Sequence, residues 1–239
     1  MIKLTKILCE KDLTGKTIVT GFHGIGQVGY LSINQLIKSI KAERIGFIET
    51  LDIPPFIGVK TNTFVTPYEI YQKDDLIIIK FEAIPSGKSG NKILKTIVEW
   101  CKSQKIEKLF LFGGLSVSFK EKDEKTTVRY LYNESYSKKI GIEEPYVQEG
   151  VQVIGPLAVL LYYAEINQIP SLAFLSYADP QRIDPRGAIN ALQNASKKMN
   201  LKLDLKELIE NAEEIEKTIT LQGISGEQTQ NAENDNMYA

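Results

Sequence analysis

The 239 residues are 43% hydrophobic and 25% charged, enough for one substantial core, and 29 Lys and Arg against 30 Asp and Glu leave a net charge of −1. That balance offers no basic surplus for nucleic acid and no attraction to an anionic membrane, and no stretch nears the ~20 apolar residues of a membrane span or resembles a signal peptide, so a cytoplasmic protein is expected. With Cys9 and Cys101 far apart and a single histidine, His23, neither a disulfide framework nor a Cys/His metal site is supported, and no cofactor is expected.

Along the chain, Thr17-Ile-Val-Thr-Gly21 is a β-branched strand that stops at a glycine cluster, and Ile33, Leu36, Ile37 and Ile40 then repeat at helical spacing. A second strand over 44–50 makes this a βαβ unit with the two strands expected side by side and parallel. Residues 58–66 suggest an irregular strand, Tyr68-Glu-Ile-Tyr71 a connection, and 75–81 a buried strand with an almost unbroken apolar run. Leu94, Ile97, Val98 and Cys101 mark a helix, followed by a strand over 108–112 that ends at Gly113-Gly114. The charge run Lys120-Glu-Lys-Asp-Glu-Lys125, between Ser116–Phe119 and Thr127–Tyr132, is expected as a solvated hairpin tip.

A helix begins at Gly155-Pro156 and carries Leu157, Leu160, Leu161 and Ala164, and Ser171–Tyr177 is another buried strand. Asp184-Pro185 caps a helix bearing Ala188, Leu192, Ala195 and Met199, and Asp204-Leu-Lys-Glu207 opens a last one in capping-box style, due to end by Gly223. The α/β alternation predicts a three-layer α/β/α body as a single domain over 1–223, with a mainly parallel or mixed sheet. Residues 224–239 form a polar tail too poor in apolar surface to order itself, closing on Met237-Tyr238-Ala239. From Gly226 that tether spans roughly 20 Å root-mean-square and extends to roughly 45–50 Å, so its end can search for a partner's pocket.

Gly24-Ile-Gly26-Gln-Val-Gly29 follows a strand and opens a helix, with Glu49 twenty residues on, which is the spacing of a dinucleotide-binding loop. In that reading Gly24 permits the turn, Gly26 admits a pyrophosphate, Gly29 lets helix meet strand, Glu49 accepts from a ribose hydroxyl, and His23 adjoins the ligand. The same glycines serve a bare strand-helix corner equally well, and no persuasive catalytic set accompanies them. Asp179, Arg182, Asp184 and Arg186 follow a strand end where ligands bind, and capping and surface pairing account for them too. Gly87-Lys-Ser89 resembles the end of a P-loop but has Glu82 where the first glycine belongs. Tyr130, Tyr132, Tyr136 and Tyr146 suit either an interface or a core.

Taken together and in order, Thr20–Gly29, Asp52-Ile-Pro-Pro55, Gly113-Gly-Leu115, Gly155-Pro-Leu157, Ile169-Pro170, Asp184-Pro185 and the Leu203-Asp204 helix resemble the proteasome assembly chaperone family, specifically homologues of its second eukaryotic subunit and their archaeal relatives. The resemblance covers most of 15–220. It implies a fold similar to the nucleoside phosphorylase type, a homo-oligomer, and a non-enzymatic role on the α-subunits or α-ring of the proteasome core particle. It also identifies Met237, Tyr238 and Ala239 with a hydrophobic-tyrosine-any residue motif that docks between neighbouring α-subunits. The chemistry suits that use: the terminal carboxylate can pair with a lysine, the tyrosine hydroxyl can hydrogen-bond with its ring buried, and Met237 can fill an apolar groove. The alternative is a nucleotide- or nucleoside-binding enzyme working through Gly24, Gly26, Gly29, His23 and Glu49.

Overall fold

The computed structural model describes residues 5–218. The tail over 224–239, with Met237, Tyr238 and Ala239, and the end of the last helix near Gly223 lie outside the described residues. Strand β1 (Thr5–Leu8) leads into β2 (Thr17–Gly21), α1 (Val28–Ile40) and β3 (Glu43–Thr50). A small hairpin, β4 (Gly58–Lys60) with β5 (Thr63–Val65), precedes β6 (Tyr68–Lys73), β7 (Leu76–Phe81), α2 (Gly87–Ser103) and β8 (Lys108–Ser116). Then come β9 (Val128–Tyr132), the short α3 (Glu134–Lys139), α4 (Pro156–Ile166), β10 (Ser171–Ala178), α5 (Pro185–Met199) and α6 over 206–218.

Eight strands form one mixed sheet in the order β1-β3-β6-β7-β2-β8-β10-β9, with β7, β2, β8 and β10 mutually parallel and the outer pairings antiparallel. Its two faces carry separate cores. Ile93, Leu94 and Ile97 of α2 and Leu160 of α4 cover one side, while Ile33 and Leu36 of α1, Ala191 and Leu192 of α5 and Leu208 of α6 cover the other. Along β2 the alternation assigns Ile18 to the first core and Val19 to the second. The three-layer α/β/α arrangement is the one expected.

The helix ends follow local chemistry. Pro156 and Pro185 stand in first turns, where a missing N–H costs nothing, and the Asp184 carboxylate accepts from the Gly187 N–H at 3.2 Å. Lys41 and Asn200 close α1 and α5 in the left-handed conformation. At α6 the Asp204 carboxylate accepts from the Lys206 N–H at 3.1 Å, while Glu207 pairs with Lys38 and does not reach back to complete a capping box.

Several strand assignments differ from expectation. The strands flanking α1 are not neighbours: β7 and β8 border β2, and β3 lies beyond β6. Burial explains the choice, since every residue of β7 is buried, as a strand covered on both faces must be, whereas β3 alternates exposed and buried positions. Tyr68–Lys73 is a strand paired with β7, not a connection, and 58–66 is a hairpin whose turn holds Asn62 at φ 59°. Strand β8 continues through Gly113-Gly114 to Ser116. No hairpin joins it to β9, because β10 lies between them, and Glu124 of the charge run turns inward to Arg129 at 2.9 Å and the Tyr177 hydroxyl at 3.0 Å.

Candidate functional site

Strands β7, β2, β8 and β10 end together, and α4 starts at the same level, so this rim gathers the loops that open α/β sheets use for ligands. The glycine corner after β2 sits at its centre. Gly26 adopts φ 58°, and a Cβ there would lie 2.7 Å from the Ala178 Cβ and 3.0 Å from that of Asp184. One at Gly29 would lie 2.5 Å from the Phe112 carbonyl oxygen and 2.6 Å from the Phe22 nitrogen. Both glycines are therefore taken up by contact with the protein's own β8–β10 layer. Gly24 differs, with nothing within 4 Å of a Cβ and an extended backbone at φ −160°.

Glu49 does not join this corner. Two strands separate β3 from β2, about 14 Å at ordinary strand spacing, and the Glu49 carboxylate faces Lys6 on β1 at 3.9 Å. The ribose-binding carboxylate of a dinucleotide site is thus missing from the loop that would hold the pyrophosphate. His23 does remain at the corner, its ring stacked on Tyr30 with centroids 3.9 Å apart. Burial lowers the histidine's pKa, Glu82 pulling the other way, and its buried Nδ1 has no hydrogen-bond partner.

Behind His23 runs a chain of polar groups that the sequence reading did not single out as a site. The Tyr30 hydroxyl donates to Glu82 Oε2 at 2.7 Å, and burial with that hydrogen bond pushes its pKa up to about 12. Glu82 also pairs with Lys80, which is 2% exposed and stands opposite Glu69 in the β6–β7 ladder. Glu69, fully buried, accepts from Arg44 at 2.7 Å, the Thr66 N–H at 3.0 Å and the Tyr71 hydroxyl at 2.6 Å. Burial raises its pKa, but these donors outweigh it and hold the carboxyl below its ordinary value. The one signal in the sequence was a lysine inside the otherwise apolar Leu76–Phe81.

Beside this network, on the α2/α4 side, lies a half-enclosed cavity of about 380 Å³ walled by Phe22, His23, Ile84, Gly113, Leu157 and neighbours. No Asp, Glu, Lys or Arg lines it. The other candidates have local partners: Asp184 caps α5 and accepts from the Asp179 N–H at 3.0 Å, Arg182 pairs with Asp179 at 3.0 Å, and Arg186 with Glu216 at 2.9 Å. Ser89 of the P-loop-like Gly87-Lys-Ser89 bonds to Asp52. Tyr130 and Tyr136 are core residues, Tyr136 donating to Glu143 at 3.0 Å, whereas Tyr146 is 39% exposed. Among the described residues no His, Cys, Asp or Glu cluster could hold a metal, and no helix is long and apolar enough to cross a membrane.

Residues 18–222 match the PAC2 family. The uncharacterized protein MJ0106 of Methanocaldococcus jannaschii is 27% identical over 205 residues, 83% of this chain and 82% of the relative. Among solved structures, the fold is similar to Pyrococcus furiosus PbaA, described as an archaeal homolog of proteasome-assembly chaperone, with a TM-score of 0.79 and 23% identity over 99% of this chain and 100% of that one. It is also similar to Pyrococcus furiosus PbaB, described as an archaeal proteasome activator, with a TM-score of 0.73 and 20% identity over 93% and 100% of the two chains.

Proposed function

The chain belongs to the PAC2 family, and on that footing we propose that it is a proteasome assembly chaperone or proteasome-binding factor, a cytoplasmic binding protein that catalyses no reaction. What carries this reading is the PAC2 match over 18–222, joined to a fold shared with PbaA and PbaB. Its docking element is Met237-Tyr238-Ala239, seated between α-subunits of the core particle; the mechanism requires Ala239 to supply the free carboxylate. A three-residue plug binds weakly, so the body acts as a homo-oligomer whose several tails engage several pockets, raising avidity by about 10² to 10⁴.

Apolar surface on the body supports an assembling role. Ahead of the β4–β5 hairpin, Phe47, Ile53, Phe56 and Ile57, between 37% and 55% exposed, line one groove, a clustering that marks a protein-facing surface more than an isolated exposed residue would. Native mass spectrometry with core particles and with α-rings, comparing the full chain with one ending at Asn236, tests the proposal. The full chain binds and the shortened one loses most of its binding. Equal binding by both rejects tail docking, and binding by neither rejects the proteasome as partner.

A further inference from the structure

The tail docking proposed above does not call on the cavity at the carboxyl ends of β2, β8 and β10, yet that cavity has the attributes of a small-molecule site. Its volume of about 380 Å³ is within the range such sites occupy, and its place is where parallel sheets bind ligands. The walls are mainly apolar and partly aromatic, Phe22 and Leu157 among them, with Gln152 the one polar side chain besides His23 and with Ile84 48% exposed. Neither nitrogen of His23 has a hydrogen bond among the described residues, and a buried polar atom left unpaired is costly unless something satisfies it. Tyr30 fixes the orientation of this ring by stacking and is itself tied to Glu82 and through it to Lys80.

We infer that this cavity binds a neutral, ring-bearing small molecule, its apolar body against Phe22 and Leu157 and its hydrogen-bonding edge on His23, with the uncharged Gln152 amide also in the lining. Neutrality follows from the lining, which offers no side-chain counter-charge to an ion drawn out of water. A nucleotide is disfavoured on the same ground, and because Gly26 and Gly29, where a pyrophosphate would rest, are packed against Ala178 and Phe112. The flat His23 ring beside Phe22 favours a planar body. Gly24 stands open at the edge of the site, its extended backbone compatible with any side chain.

His23 is the only histidine in the chain, so its ring resonances report on the cavity without assignment ambiguity. The test titrates the full chain with indole, adenine and nicotinamide, with AMP and inorganic phosphate as charged comparators, following the His23 ring signal by NMR and the melting temperature. At least one neutral ring gives a saturable His23 shift and a rise of about 3 °C at ten times its dissociation constant, while phosphate gives neither. Gly24→Leu, which places a side chain at the opening without backbone strain, keeps the amide spectrum of the fold and loses the response. The inference is overturned if none of the three rings moves His23 saturably, if AMP or phosphate moves it more than they do, or if Gly24→Leu responds as the parent does. It is equally overturned if removal of residues 237–239 alone shifts His23 as a ligand would, since a segment of the chain then fills the site. These outcomes are independent of whether the proteasome is bound.

Discussion

Two neighbouring regions at the same end of the sheet treat polar groups in opposite ways. At the ends of β6 and β7, charges are buried and paired: Glu69 satisfies Arg44, Tyr71 and the Thr66 N–H, and Lys80 meets Glu82. At the ends of β2, β8 and β10 the wall is mainly apolar and uncharged, and the buried Nδ1 of its one titratable side chain, His23, has no hydrogen-bond partner among the described residues. The first region is complete as structure, since each donor there already has its acceptor. The second has space and an unpaired polar atom, and in a protein interior that combination is where a ligand belongs.

The contrast breaks most readily at Glu69. Glu69→Ala leaves Arg44, the Tyr71 hydroxyl and a backbone N–H without their common acceptor, so urea unfolding is expected to show a loss of about 3 kcal/mol or more. A loss under 1 kcal/mol would mean that water replaces the carboxylate easily and that the network is not a finished structural unit. Within the glycine corner a smaller difference is expected. Gly29→Ala forces a Cβ to within 2.5 Å of the Phe112 carbonyl and costs about 1–3 kcal/mol, whereas Gly24→Ala meets no atom and stays within about 0.5 kcal/mol of the parent. Equal costs would show that the corner is not divided into a packed and an open half.

The smallest effect is that of pH on His23. Its folded pKa lies below the ordinary 6.5, burial being the main cause, so between the two values the unfolded chain binds the extra proton. Stability therefore rises with pH across that window, is level above about 6.5 and falls as the pH drops below it. An NMR titration with a midpoint above 6.5 would place His23 in contact with an acidic partner and remove the neutral wall from the cavity.

Much of this architecture was legible in the residues. The β-branched run ending at Gly21, the helical spacing of Ile33, Leu36 and Ile40, the Gly155-Pro156 and Asp184-Pro185 helix starts and the apolar Ser171–Tyr177 strand lead directly to three layers. Strand order was not legible, because a strand-helix-strand spacing states that a crossover occurs and not which neighbour it reaches. The all-buried β7 displaced β3 from the side of β2, and β10 entered between β8 and β9, so a charge run that looks like a hairpin tip bridges two strands that never pair.

The candidate site was partly legible for the same reason. Gly24 and His23 do border a cavity, but Gly26 and Gly29 are consumed by packing, and Glu49, correct in spacing, sits two strands too far away. Spacing along a chain cannot report a strand inserted from elsewhere. Lys80 within Leu76–Phe81 was a signal left unread: an isolated charge in an otherwise apolar run needs a partner once buried, and the structure supplies it in Glu82.

On the proposed reading, proteasome binding resides in the tail and not in the cavity. The most direct test is the affinity for purified core particles of the full chain, of Tyr238→Ala and of Gly24→Leu, measured side by side at one ionic strength. At least about tenfold weaker binding is expected for Tyr238→Ala, as for the loss of a buried aromatic anchor, and no change for Gly24→Leu. Unchanged binding by Tyr238→Ala, with loss in Gly24→Leu, would contradict that reading.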